Sequence, residues 1–203
     1  MKRSVRSKWV VVSGVMAIIA DAQLLTAQQG AGKANNAQTF LTHAAQDGEA
    51  EIELGRMAQE KAADAKVKDF GARMQKDHGN ANAELRAIAA KKGLTIPGGP
   101  GPHAAMMKKL GSLQGAAFDS AYMRAMVDDH AKAVKEFEMA TKSPDAEIKA
   151  FAEKTLPTLR EHLRLAQEIQ KGVGSTIRSS KTVDPPAPAN APPRRDATQP
   201  APR

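Results

Sequence analysis

The sequence contains no cysteine. That excludes disulfides, thiolate metal sites, cysteine nucleophiles and a lipid-anchored N-terminal cysteine. Aromatic residues make up only 3% of the chain. Strands of a β-sandwich want aromatic and β-branched side chains, so this scarcity argues against one. No stretch alternates apolar and polar residues long enough for a membrane β-barrel. The apolar run from Trp9 to Ala20 falls well short of the roughly 20 residues that span a bilayer. Nothing resembles a nucleophile elbow, a P-loop or a dinucleotide fingerprint, so the chain reads more readily as a non-enzyme than as an enzyme.

What is present is Ala, Leu, Val and Met. Hydrophobic residues reach 41%, enough for a real core. This composition favours close-packed helices. The formal net charge is +8, and its location matters more than its size. Lys2, Arg3, Arg6 and Lys8 sit at one end. Lys171, Arg178, Lys181, Arg194, Arg195 and Arg203 sit at the other, against only Asp184 and Asp196. The middle is nearly neutral, so no nucleic-acid partner is expected of the folded part.

Residues 1–27 carry the three parts of a secretory signal. Four cations precede the apolar segment WVVVSGVMAIIA. Cleavage is expected after Ala20-Asp21-Ala22 or after Leu25-Thr26-Ala27, leaving no integral membrane span in the mature chain and placing it in the periplasm. Residues 172–203 hold Pro185, Pro186, Pro188, Pro192, Pro193, Pro200 and Pro202. Such a segment cannot bury enough apolar surface to offset its ordering entropy. A disordered, basic, partly polyproline-II tail is expected there, able to touch anionic envelope surfaces weakly.

Between these ends, residues 37–171 read as an all-α domain, an antiparallel four-helix bundle of ferritin-like topology. The first helix, about Ala37 to Ala63, has an inward stripe of Leu41, Ala44, Gly48, Glu51, Gly55, Ala58 and Ala62. The second, about Asp64 to Lys92, presents Val67, Phe70, Met74, His78, Ala81, Leu85 and Ile88. Gly93 and Pro97 then stop it. A long connection follows, with a short helix over Ala104–Leu113. The third helix, about Ala116 to Thr141, presents Phe118 or Tyr122, then Met123, Met126, His130 and Phe137. Ser143-Pro144-Asp145 reads as N-cap, N1 proline and first-turn acid. The fourth helix runs to about Lys171 and faces Ile148, Phe151, Ala152, Leu159, His162 and Ala166 inward. Pro157 is expected to kink or split it.

Three of the five histidines lie mid-helix on apolar stripes: His78, His130 and His162. His43 and His103 read as surface or loop residues. Glu51 holds the matching place on the first helix, at about the same axial level as His78. His130 and His162 are expected to be offset along the axis by roughly 5–8 Å, at about 1.5 Å per residue. The pattern also repeats. Phe70-x3-Met74-x2-Asp77-His78-x6-Leu85 matches Tyr122-x3-Met126-x2-Asp129-His130-x6-Phe137. In each pair the Asp is rotated about 100° from the His, towards the helix flank. Glu51, His78, His130 and His162 therefore form a candidate site for a single transition metal ion: zinc, iron, manganese or copper. The alternative is a Glu–His hydrogen-bond network that fixes helix register. A diiron centre would need Glu three residues before His, and those positions hold Gln75, Val127 and Leu159.

The segments AAQDGEAEIELGRMAQEKA, VKDFGARMQKDHGNANAEL, FDSAYMRAMVDDHAKAVKEF and FAEKTLPTLREHLRLAQEI resemble an exported bacterial family of unknown function. Its members are often labelled predicted outer membrane protein and grouped with ferritin-like bundles. The resemblance spans about residues 38–170. It implies an exported ferritin-like fold and no particular activity. Three roles stand open: a metal-binding protein of envelope maintenance or stress response, a ferroxidase-like or redox enzyme using the Glu/His centre, and a non-catalytic envelope interaction module.

Overall fold

The computed structural model describes residues 16–181, with side chains over residues 36–174. Five α-helices and one 3-10 turn make up the chain there. They are α1 (Met16–Lys61), α2 (Ala65–Lys91), the turn Gly101–His103, α3 (Ala104–Gly111), α4 (Gly115–Ala140) and α5 (Ala146–Lys181). No strand occurs among the described residues, so the protein is all-α. The cationic start and the proline-rich segment 182–203 lie outside the described residues.

Local chemistry sets the helix ends. Asp64 caps α2, its side chain accepting the Lys66 amide at 2.8 Å. Asp119 of α4 reaches the same corner and accepts the Ala63 and Asp64 amides at 3.1 and 3.0 Å. A buried carboxylate thus ties the α1–α2 corner to the start of α4. Gly93 takes φ +65°, the left-handed conformation that ends α2, and Leu94 N–H donates back to Ala89 at 2.9 Å.

Four expectations about the helices need correction. The first helix, α1, begins at Met16 and not near Ala37. The cap of α5 is Asp145, not Ser143. Asp145 accepts the Glu147 and Ile148 amides at 3.1 and 3.2 Å, while Ser143 Oγ accepts from Asp145 itself. Pro157 does not split α5, which runs uninterrupted through it. Pro157 and Glu153 are both exposed, so the Glu153 carbonyl that loses its donor faces solvent. Finally, α5 does not end near Lys171. Val173 is buried and continues the stripe from Ala166 and Ile169, which carries the helix onward.

The inward stripe of α1 is wholly buried, from Leu41 to Ala62. Its small residues let α2 approach closely. A Cβ on Gly71 would lie 2.7 Å from both the Gly55 carbonyl oxygen and the Ala58 Cβ. Asn82 fills the space that Gly48 leaves, and its Nδ2 donates to the Ala45 carbonyl at 3.1 Å.

The core falls into two apolar clusters. One holds Leu41, Leu85, Phe137 and Phe151; the other holds Leu54, Phe70, Met74, Met126 and Ala166. Each long helix crosses from one cluster to the other at a polar residue: Glu51 on α1, His78 on α2, His130 on α4 and His162 on α5.

Candidate metal centre

The three stripe histidines meet. Ring centroids lie 5.6 Å apart for His78–His130, 5.5 Å for His78–His162 and 5.3 Å for His130–His162. One nitrogen from each ring lies within 4.8 Å of the others. The axial offset expected of His130 and His162 does not separate them. Side chains lean towards the N-terminus of their own helix. His130 on α4 therefore leans away from the 141–145 turn, and His162 on α5 leans back towards it.

Hydrogen bonds on the outer side of two rings decide what the inner side offers. His130 Nδ1 lies 2.9 Å from the Met126 carbonyl oxygen, which can only accept. Nδ1 therefore carries the proton, and Nε2 of the neutral ring holds a lone pair. His162 Nε2 lies 3.0 Å from Asp77 Oδ2 and donates to it, which leaves Nδ1 with the lone pair. His78 Nε2, His130 Nε2 and His162 Nδ1 are the buried ring nitrogens without a hydrogen-bond partner.

Burial keeps these rings neutral. His130 and His162 are 2% and 1% exposed. Burial, and then the neighbouring His162, push His130 down to about 4. Burial, then His130 and His162, hold His78 well below the usual imidazole range. Burial also lowers His162, against the raising effect of Asp77. Phe70 closes the other side, with its ring centroid 6.3 Å from both His130 and His162. Three neutral imidazoles, two of them with the lone pair fixed on the inner nitrogen, form a donor set suited to a borderline transition metal. Outer hydrogen bonds of this kind orient such ligands.

Glu51 stands beside the three rings, outside their convergence. Its Oε1 is 3.9 Å from His130 Nδ1, and its Oε2 is buried without a partner. Burial, then Asp129 and Asp47, raise its carboxyl well above the usual range. His43 is an exposed residue of α1. His103 is partly buried, with Nε2 2.7 Å from Asp47 Oδ1.

Sequence reasoning missed Asp77, Asn82 and Asp119 as inward-acting polar residues. For Asp77 the signal was there. The repeated Asp-His pair places Asp77 on the flank of α2, which is where α5 presents His162.

Taken together, the protein is an all-α helical bundle with a histidine-rich polar layer through its core. It belongs to the family described as Domain of unknown function (DUF4142), which matches residues 22–169. No curated protein matches the chain. Solved structures that share the fold include two DUF305 proteins. A DUF305 fragment from Deinococcus radiodurans is 17% identical, with TM-score 0.58, covering 68% of this chain and 95% of that one. A candidate secreted protein DUF305 from Streptomyces coelicolor is 17% identical, with TM-score 0.60, covering 68% of this chain and 92% of that one. Among the described residues, no helix is long and apolar enough to cross a membrane.

Proposed function

We propose that the protein is exported and holds one divalent transition metal ion on His78, His130 and His162, within an antiparallel four-helix bundle of ferritin-like type. The observation that carries this reading is the meeting of three histidines, one nitrogen of each within 4.8 Å of the others, with a buried, unpartnered nitrogen on every ring. A register-fixing network would close its hydrogen bonds inward; here two rings spend theirs outward, on Met126 and Asp77. Glu51 stands alongside to offset part of the ion's charge. An imidazole set suits zinc, copper or iron better than manganese, which favours oxygen ligands. The antiparallel reading draws on Gly71 facing Gly55, Asn82 facing Gly48, and Asp119 capping the α1–α2 corner. Export draws on the signal-like residues 1–27 and on the name of the Streptomyces coelicolor neighbour.

The favoured role is a metal-holding protein of the bacterial envelope. A second carboxylate-bearing layer for diiron chemistry has no support, since Leu159 and Val127 pack into the apolar clusters. The deciding experiment is elemental analysis of the exported protein, untagged and purified from periplasm, followed by zinc titration. One ion per chain is expected, with binding abolished in His130→Ala and in His162→Ala. Absence of stoichiometric binding by the wild-type protein for zinc, copper and iron alike would overturn the reading.

A further inference from the structure

A cavity of about 230 Å³ adjoins the histidine layer. It is lined by Asp47 and Glu51 of α1, His78 of α2, His103 of the 3-10 turn, and Asp129, His130, Lys132 and Glu136 of α4. Its inner end touches two of the three converging rings. Its outer end reaches solvent, where the Lys132 side chain is 77% exposed and Asp47 41% exposed.

The wall is acidic by construction. The long connection after α2 brings Gly101, at φ +50°, against the Gln46 side chain of α1, and this seats His103 on Asp47. Asp129 bridges outside and inside. Its Oδ1 lies 3.2 Å from Lys132 Nζ at the mouth, while its Oδ2 is buried without a partner. Deeper still is Glu51, 6% exposed, with its own unpartnered Oε2. Oxygen acceptors thus run inward from Asp47 and Asp129 to Glu51, and the ring nitrogens follow. Besides the two rings of the centre, Lys132 and His103 are the basic groups lining this path, and Glu136 adds a further carboxyl.

We propose that this cavity is the access route for a divalent cation to the three-histidine centre, with Asp129 and Glu51 as successive oxygen ligands on the way. The proposal rests on the metal-binding reading above. A chain of acceptors along a low-dielectric wall concentrates cations and speeds their association, by about 10-fold to 10³-fold in the strongest cases. Lys132 at the mouth opposes them.

The test is stopped-flow mixing of full-length protein with cobalt(II), followed by visible absorption, at low and high salt. Asp129→Asn is expected to slow association about tenfold. Dissociation should slow by a similar factor, leaving Kd near the wild-type value. Lys132→Gln, at an exposed position, is expected to speed association several-fold. Both differences should shrink at high salt. A general loosening of the fold would not give opposite signs for the two variants. Wild-type association rates in both variants overturn the route, as does a weakened Kd with unchanged association rate in Asp129→Asn. If Asp129→Asn does not fold, Lys132→Gln decides alone. If the wild-type protein binds no cobalt, zinc or copper, it is the metal-binding reading that fails.

Discussion

Gly71 and Gly79 lie two turns apart on α2, and the same substitution should act on them with opposite sign. Replacing glycine by alanine inside a helix gains about 1 kcal/mol of propensity. At Gly79 nothing lies within 4 Å of the added Cβ. Gly79→Ala should therefore stabilise the protein by about 1 kcal/mol. At Gly71 the new Cβ would sit 2.7 Å from the Gly55 carbonyl oxygen and 2.7 Å from the Ala58 Cβ. Neither obstacle is the end of a flexible side chain, so relief requires α1 and α2 to move apart. Such overpacking costs about 1–3 kcal/mol, and contacts this short point to the upper half of that range. Subtracting the propensity gain leaves Gly71→Ala destabilised by about 1–2 kcal/mol. The two variants should thus differ by about 2–3 kcal/mol. Urea unfolding of both, with wild type as reference and linear extrapolation, measures the gap. Separating α1 from α2 also draws Glu51 away from His78, so metal affinity should fall in Gly71→Ala alone. Stabilities within about 0.5 kcal/mol of each other would refute the close-approach argument, since that is the scatter of surface substitutions.

The other predictions concern the site and the ends of the chain. Asp77→Ala should weaken metal binding by about 10–100-fold, because the acceptor that fixes the His162 tautomer is lost; competition against a chromophoric chelator reads it, and an unchanged Kd would remove Asp77 from the site. Glu51→Gln tests the buried carboxyl in metal-free protein. Burial raises its folded value well above 4.5, so the native state holds the proton that the unfolded state gives up, and its stabilising contribution fades as pH rises. The stability of Glu51→Gln relative to wild type should then climb as pH rises above the ordinary carboxyl value of 4.5, and a pH-independent difference would contradict the assignment. Processing predicts an intact mass that begins after Ala22 or after Ala27; periplasmic protein still starting at Met1 would contradict it.

Much of this fold was legible because its signals are periodic. The stripe from Leu41 to Ala62 carries small residues at 3–4 spacing, and a helix can bury such a face only against another helix. The histidine layer was legible for the same reason: a polar residue at an apolar stripe position must point inward. What periodicity could not set was lateral distance. Glu51 and His78 are nearly level along their helices, yet the carboxyl stops short of the ring convergence. Nor could periodicity say which of Ser143 and Asp145 captures the free amides of α5, since both can cap and only backbone geometry chooses. The split expected at Pro157 does not occur, because its missing donor matters less on an exposed face than in a core. Asp77 was set aside because a residue about 100° from an inward one faces out of its own helix, though α5 passes along that flank.

The polar layer itself is the strongest argument that the core is built for more than packing. Each buried polar group left unpaired costs about 1–3 kcal/mol. Three ring nitrogens and one carboxylate oxygen are unpaired in this one layer, against a typical total stability of about 5–15 kcal/mol. Leucine or methionine at these positions would fill the gap between the two apolar clusters without that cost, as elsewhere in the core. Turning the rings around would satisfy His130 and His162 no better, because Met126 and Asp77 already fix their outer nitrogens. A Lewis acid that took up the inner ring nitrogens at once would remove that cost. If the proposed centre binds its ion, folding and metal binding are thermodynamically coupled, and the ion's affinity should appear directly as added stability of the native state.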